Sequence, residues 1–297
     1  MTHYGAIEAG GTKFVLAVGD DQFNLLEKLS IPTRKPEETL EEVVAFFKEH
    51  PIDALGLGSF GPIDLNKDSE TYGWITNTPK LAWQMFDVVG YLEEALKVPV
   101  IPTTDVNAAC YGEYRFGVAK GKKSAVYYTV GTGIGAGAIN QGQFVSGLSH
   151  PEMGHMKVVP NPDDHFEGAC PFHGNCLEGM ASGPAIEKRA GKKGDQLSAD
   201  DPTWDYVSDY LAQAIYNTAL MLDPEVIIFG GGVMKQTHVL NKVRTLVTQY
   251  MNGYKELPAL TDYIKLASLN DNQGVLGCFA LANDYLENKK VLESKVN

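Results

Sequence analysis

The chain has 297 residues, 44 % hydrophobic and 21 % charged, which supplies core material for one large domain or two ordinary ones and excludes a largely disordered chain. With 25 Lys plus Arg against 37 Asp plus Glu, the net charge is −12. Phosphodiester backbones and anionic lipid surfaces are repelled by such a chain, so neither nucleic acid nor membrane is expected as a partner. No segment approaches the roughly 18 uninterrupted apolar residues of a membrane span, and the opening residues lack a secretory pattern, so a soluble, cytoplasmic protein is expected.

Residues 5–18 read as strand, glycine turn, strand, with Gly10, Gly11 and Thr12 at the turn. A third strand is predicted at Leu25–Ile31. An amphipathic helix then opens at Pro36 and runs to about Lys48, with Leu40, Val43, Val44 and Phe47 on one face. Ala54–Ser59 reads as a buried strand, and 64–83 as an irregular, turn-rich loop long enough to be functional. A helix over Val88–Leu96, a strand over Val100–Pro102 and a helix opening after Asp105 come next. Gly117–Lys123 is rich in glycine and lysine and reads as a domain junction. It divides the chain into 1–117, joined by the C-terminal helix at 272–297, and 118–271.

Beyond the junction the opening pattern recurs, with strands at Ala125–Val130 and Ile134–Ile139 around the turn Gly131-Thr132-Gly133. An ungapped shift of 121 positions lays Gly10 on Gly131, Ala17 on Ala138, Gln22 on Gln143 and Phe23 on Phe144. The same strand–turn–strand order in both halves points to two duplicated domains. Helices are predicted at about Thr203–Leu222, Gln236–Tyr250 and Asn272–Leu286, and the strand Val226–Phe229 ends in Gly230-Gly231-Gly232.

Three glycine clusters therefore succeed strands. Glycine lets backbone N–H groups converge on an anion, and Thr12 and Lys13 add a hydroxyl and an ammonium, so the set points to phosphate or nucleotide binding. Gly5 and Gly10 have Walker A spacing, but Gly11 stands where the lysine belongs. Gly131–Ala136 satisfies the dinucleotide pattern, yet residues 137–144 read as strand and hairpin turn and not as helix, which argues against a dehydrogenase.

Asp105 lies where a short strand passes into a helix. By itself it reads as the helix N-cap; at the mouth of an α/β cleft it is placed as a general base toward a substrate hydroxyl. Cys170, His173 and Cys176 offer three borderline-soft ligands in seven residues, with His150, His155 and His165 as candidates for a fourth. A closed four-ligand thiolate–imidazole site suits structural zinc. Cys110 and Cys278 read as buried free thiols.

These motifs together resemble the repressor/ORF/kinase (ROK) sugar kinases of the actin/hexokinase/Hsp70 superfamily, across nearly the whole chain. Ile7–Lys13 resembles the first phosphate motif and Gly131–Gly137 the second. Gly230–Val233 resembles the adenosine motif, His150–His155 the sugar-binding signature, and Cys170–Glu178 the zinc loop. The resemblance implies an α/β protein of two duplicated actin-like (ribonuclease H-like) ATPase domains around a central cleft. It makes Asp105 the base and gives the sugar to Asp105, Glu152, His155 and Glu178. Zinc falls to His155, Cys170, His173 and Cys176. The nucleotide would meet Gly10, Gly11, Thr12, Lys13, Gly131, Thr132, Gly133, Pro184, Gly231, Gly232, Val233, Met234 and Lys235, with Glu8 near magnesium.

Two departures point within the family. Thr104 precedes Asp105 where glucokinases usually carry Asn, and His173 stands where their zinc loop usually has Cys. With Ser59–Pro62 and Thr78–Lys80 these resemble the fructokinase branch. The expectation is ATP- and Mg2+-dependent phosphorylation of fructose to fructose 6-phosphate by a zinc-containing homodimer, with mannokinase or glucokinase as the alternative. A repressor would need a DNA-binding domain ahead of Ile7, for which this sequence has no room, and a non-catalytic sugar-binding protein would require that Asp105 not be the base.

Overall fold

The computed structural model describes residues 2–296, with side chains through residue 291. The chain divides into two compact units. One holds the chain through Lys120, Ser146–His150 and everything from Ser268 onward; the other holds Gly121–Val145 and Pro151–Ala267. Compared with a division at 117 and 271, the second crossing falls a few residues earlier and Ser146–His150 groups with the first unit.

The first unit contains β1 (Tyr4–Ala9), β2 (Lys13–Gly19), β3 (Leu25–Pro32), α1 (Pro36–Glu49), β4 (Ala54–Ser59), β5 (Trp74–Ile75), β6 (Phe86–Asp87), α2 (Val88–Leu96), β7 (Val100–Thr104) and α3 (Asp105–Phe116). The second contains β8 (Ser124–Val130), β9 (Ile134–Asn140), β10 (Gln143–Phe144), α4 (Leu177–Ala181), α5 (Gly183–Ala190), α6 (Thr203–Met221), β11 (Ile227–Gly230), α7 (Thr237–Met251), α8 (Leu260–Tyr263) and β12 (Ile264–Leu266). The chain then returns to the first unit in α9 (Gln273–Val296).

The expected repeat is present in the sheets. The first sheet has the order β3-β2-β1-β4-β7 and the second β10-β9-β8-β11-β12. In each, an antiparallel three-stranded meander continues into two parallel strands. The shift of 121 carries β2 onto β9 at both ends. The hairpin turns differ in size. Ala9 pairs Phe14 across four residues, whereas Val130 pairs Ile134 across three. Accordingly the Gly10 amide bonds the Lys13 carbonyl, but the Gly131 amide bonds that of Gly133, each at 2.9 Å.

In β4, Leu55 and Leu57 point to one face and Gly56 and Gly58 to the other, the period-two alternation of a strand. The leucine face joins Ile7, Phe14, Leu16 and the apolar stripe of α1 (Leu40, Val43, Phe46, Phe47) in one core. The glycine face receives α3 and α9 at backbone contact. A Cβ on Gly56 would lie 2.1 Å from the Cys278 carbonyl oxygen, and one on Gly277 would lie 1.8 Å from that of Ala108. Small residues on this face thus seat the helix that begins at Asp105. In the second unit Val126, Tyr128, Val130, Ile227 and Phe229 form the sheet side of a core with α4, α6 and α7.

Residues 64–83 are not wholly irregular. Strand β5 pairs with β6, and a 3-10 turn at Leu81–Trp83 buries Trp83 against Phe14, Phe60 and Phe86. The segment gains its order from that tertiary contact rather than from local periodicity. After Gly131-Thr132-Gly133 the chain continues as the strand β9, so a dinucleotide fingerprint is excluded.

Candidate active site

Five groups of residues singled out by the sequence can be located within their own units. In the first, the turn between β1 and β2 presents Gly10, Gly11, Thr12 and Lys13. Thr33, just beyond β3, clamps it: its Oγ1 donates to the Gly10 carbonyl (2.7 Å) and its amide to that of Thr12 (3.0 Å). Glu8 lies on the β1 face covered by α9, where a Cβ on Gly274 would come within 2.6 Å of its Oε2. Burial pushes the Glu8 carboxyl above its ordinary range, and Lys13 and Lys28 work against that rise. A cation beside Glu8 would favour its ionised form.

Asp105 does not cap α3. Thr104 does, its Oγ1 accepting from the Asn107 amide at 3.1 Å, and Asp105 is the first helical residue. Asp105 Oδ1 accepts from the Val106 amide at 2.9 Å. The half-buried carboxylate therefore sits at the positive end of a helix dipole, fixed at the C-terminal end of parallel strand β7. Thr104 itself is only 4 % exposed, and its hydroxyl is committed to the cap.

In the second unit, β9 leads to a 3-10 turn at Met153–His155, with the exposed Glu152 at its start. The turn packs on the strand because Gly154 has no side chain; a Cβ there would lie 1.6 Å from the Ile134 carbonyl oxygen. The Leu177 amide bonds the Met156 carbonyl (2.9 Å), and Lys157 bridges to Cys176, which draws the cysteine loop onto the His155 turn. Gly179 permits the closure, since a Cβ on it would meet the Gly174 carbonyl oxygen at 1.9 Å.

The result is a cluster of His155, Cys170, His173 and Cys176 whose ligand atoms all lie within 4.8 Å of one another. Of the three histidines open from sequence, His155 joins it. A tetrahedral zinc site with Zn–S of about 2.3 Å and Zn–N of about 2.0–2.1 Å places neighbouring S and N donors about 3.6 Å apart. Here His155 Nδ1 lies 3.5 Å from Cys176 Sγ and 3.8 Å from Cys170 Sγ, and His173 Nδ1 lies 3.7 Å from Cys170 Sγ. The donor set and its spacing fit zinc.

Glu178, on α4 directly after this cluster, reaches the second glycine turn. Its Oε2 accepts from the Ile134 amide at 2.9 Å, and Gly133 leaves room for it. The turn itself adjoins the start of α5, where the Gly183 amide bonds the Gly131 carbonyl at 2.7 Å. Gly231 has φ +89°, and a Cβ there would meet Val130 backbone at 2.4 Å, so only glycine fits.

A cavity of about 600 Å³ is lined by Gly131, Thr132, Gly183, Pro184, Gly232 and Val233, whereas Gly133 and Gly231 do not line it. Trp204, Ile186, Glu187, Lys193, Asp195 and Gln236 complete its wall. These last six carry no local signal in the sequence, because they come from α5, the 3-10 turn after it, α6 and the lead-in to α7. Met234 turns instead into the core, 2 % exposed, and Lys235 is exposed on its 3-10 turn.

The ROK family profile matches residues 4–285. The chain belongs to the ROK family. Similar proteins include the fructokinase of Lactococcus lactis subsp. cremoris, 49 % identical over 283 residues that cover 94 % of this chain and 97 % of that one. The fructokinase of Pediococcus pentosaceus is 46 % identical over 284 residues, 96 % and 99 % of the two chains. Among solved structures, the ROK hexokinase from Thermus thermophilus superimposes with a TM-score of 0.79 at 29 % identity, covering 97 % of this chain and 100 % of that one. The two five-stranded sheets are thus the duplicated actin-like pair of the ROK sugar kinases. No helix among the described residues is long and apolar enough to cross a membrane.

Proposed function

We propose that this protein transfers the γ-phosphoryl group of ATP to the 6-hydroxyl of D-fructose. The observation that carries the sugar is the 46–49 % identity, over nearly the whole chain, to fructokinases. The site geometry supports phosphoryl transfer, because glycine turns, a helix-anchored carboxylate and a nucleoside-sized cavity are the parts that positioning and electrostatic catalysis require.

In this reading Asp105 accepts the proton of the 6-hydroxyl as that oxygen bonds to the γ-phosphorus and the bond to the ADP oxygen breaks. Its fixed place at the start of α3 keeps the carboxylate oriented. Glu152, His155 and Glu178 hold sugar hydroxyls. Glu178 also bonds the second glycine turn through Ile134, so sugar and phosphate positions share one carboxylate. Gly131, Thr132, Pro184, Gly232 and Val233 enclose the nucleoside, and the first turn with Lys13 faces the phosphates. Glu8 stands near the magnesium site, and Mg2+ when bound neutralises charge on the transferring phosphates. Zinc on His155, Cys170, His173 and Cys176 is structural, fixing the turn that carries Glu152. The protein acts in the cytoplasm as a homodimer.

The test is Asp105→Asn. Fructose affinity measured calorimetrically should stay within about threefold while kcat falls by about 10³-fold or more, the signature of an interaction made only in the transition state. Turnover comparable to the parent enzyme would remove Asp105 from the role of base. A panel of fructose, mannose, glucose and N-acetylated amino sugars, read as kcat/KM ratios, tests the sugar separately.

A further inference from the structure

We propose that Lys80 is a further catalytic residue, placing a second ammonium on the first glycine turn to bind the phosphoryl group in transfer. The inference rests on the kinase reading above and adds a residue to it. The turn is held from below by Thr33, and Gly11 at its tip carries no side chain. Lys80 Cε lies 3.3 Å from where a Cβ of Gly11 would stand, so the lysine stem runs directly over the turn.

The approach is built in. Lys80 precedes the 3-10 turn Leu81–Trp83, its carbonyl accepting from the Trp83 amide at 2.8 Å and its amide donating to Thr78 Oγ1 at 3.3 Å. Thr78 is 2 % exposed, and its carbonyl accepts from Gln84 Nε2 at 2.9 Å. Trp83 is 1 % exposed; its Nε1 donates to the Arg34 carbonyl at 2.8 Å, and its ring packs on Phe14, from the strand that leaves the glycine turn. A loop of about 20 residues is therefore fastened so that one lysine emerges over the turn.

The ammonium has no internal use. Among the described residues Lys80 takes part in no ion pair, although the chain carries 37 acidic residues. An unpaired, half-buried cation over a glycine turn that also carries Lys13 is complementary to an anion with several oxygens. Negative charge shifts onto the ADP oxygen as its bond to the γ-phosphorus breaks, and a fixed ammonium beside the transferring group stabilises that redistribution in the transition state. Lys80 stays protonated throughout, and the hydroxyl proton goes to Asp105.

The experiment compares Lys80→Met and Lys80→Arg in the full-length protein. For K80M, kcat at saturating ATP and fructose should fall about 10²–10³-fold. Calorimetry without nucleotide should leave the fructose Kd within about threefold, and K80R should recover at least about a tenth of parental kcat. Affinity for AMP-PNP should fall by at least about tenfold more than affinity for ADP, because only the former carries a γ-group. This last comparison needs no turnover and so stands even if the parent enzyme phosphorylates none of the sugars tried. A kcat within threefold of the parent, equal losses for AMP-PNP and ADP, or a loss confined to the fructose Kd would each overturn the assignment. Should K80M melt early, the K80R rescue and its AMP-PNP to ADP ratio decide the matter alone.

Discussion

Arg189 offers a perturbation whose cost can be worked from geometry. Its guanidinium is 8 % exposed and forms a fork to Asp164, itself 2 % exposed, with Nη2–Oδ2 at 2.9 Å and Nε–Oδ1 at 3.2 Å. Nη2 also donates to the Met180 carbonyl at 2.9 Å, and the guanidinium carbon lies 4.5 Å from the Phe166 ring centre. One side chain thus fastens α5, which borders the cavity beside the second glycine turn, to α4, which carries Glu178, and to the segment leading into the cysteine loop. Arg189→Met keeps similar volume and removes the charge. Leaving one member of a buried pair uncompensated costs about 3–5 kcal/mol. Asp164 would retain the Tyr210 hydroxyl at 2.8 Å and the Phe166 amide at 3.1 Å, which places the expected loss near the lower end, about 3 kcal/mol.

The same contacts set the pH dependence. Burial works to raise the Asp164 carboxyl, but hydrogen bonds from Arg189 and Tyr210 outweigh it and hold the group below its ordinary range. A carboxyl depressed in the folded state adds stability above its unfolded pKa of about 3.9, and that contribution is lost as pH falls through the lower folded value. In the variant the carboxyl protonates at higher pH and sheds its unpaired charge. The gap between parent and variant should therefore be widest near neutrality and narrow as pH approaches about 4. Denaturant unfolding at several pH values, tracked by the fluorescence of Trp204, the tryptophan of this unit, reads it directly. A loss under about 1 kcal/mol at pH 7, or a gap that does not change with pH, would refute the reasoning.

Two further outcomes are expected. Gly133→Ala would put a Cβ 2.7 Å from Glu178 Oε2; the flexible carboxylate should swing off the Ile134 amide, lowering fructose affinity about tenfold with Tm moved by only a few degrees. Unchanged sugar affinity would show that Glu178 is not set by the turn. Stripping zinc with a chelator should lower Tm and fructose affinity together, since the His155 turn loses its anchor, and re-addition should restore both. Metal-free protein with normal fructose affinity would separate the metal from the sugar site.

The repeat was legible because its hairpins are coded locally. Apolar β-branched runs around Gly10-Gly11 and Gly131-Thr132-Gly133 specify strand, turn and strand without help from the rest of the chain. The soft-donor cluster was legible as residue types, since Cys170, His173 and Cys176 lie within one loop. Other features resisted for identifiable reasons. Asp105 reads as a cap, but Thr104 one residue earlier has the extended backbone that an N-cap needs. Helices α4 and α5 have five and eight residues, too short to show periodicity. Six residues of the cavity wall come from four separate segments, so no spacing announces them.

By itself the sequence determined the class of the protein. Its alternations of apolar residues, its glycine turns and its cluster of soft ligands are energies settled between neighbours along the chain. Tertiary structure decided which of those groups act together. His155 rather than His150 or His165 meets the cysteines because the strand bridge at Lys157 and Cys176 and the bare Cα of Gly179 close that loop. Lys80 reaches Gly11 across some seventy residues of chain because buried Trp83 fixes the loop that bears it. Such choices depend on packing between distant segments, and packing is resolved only when the whole core forms.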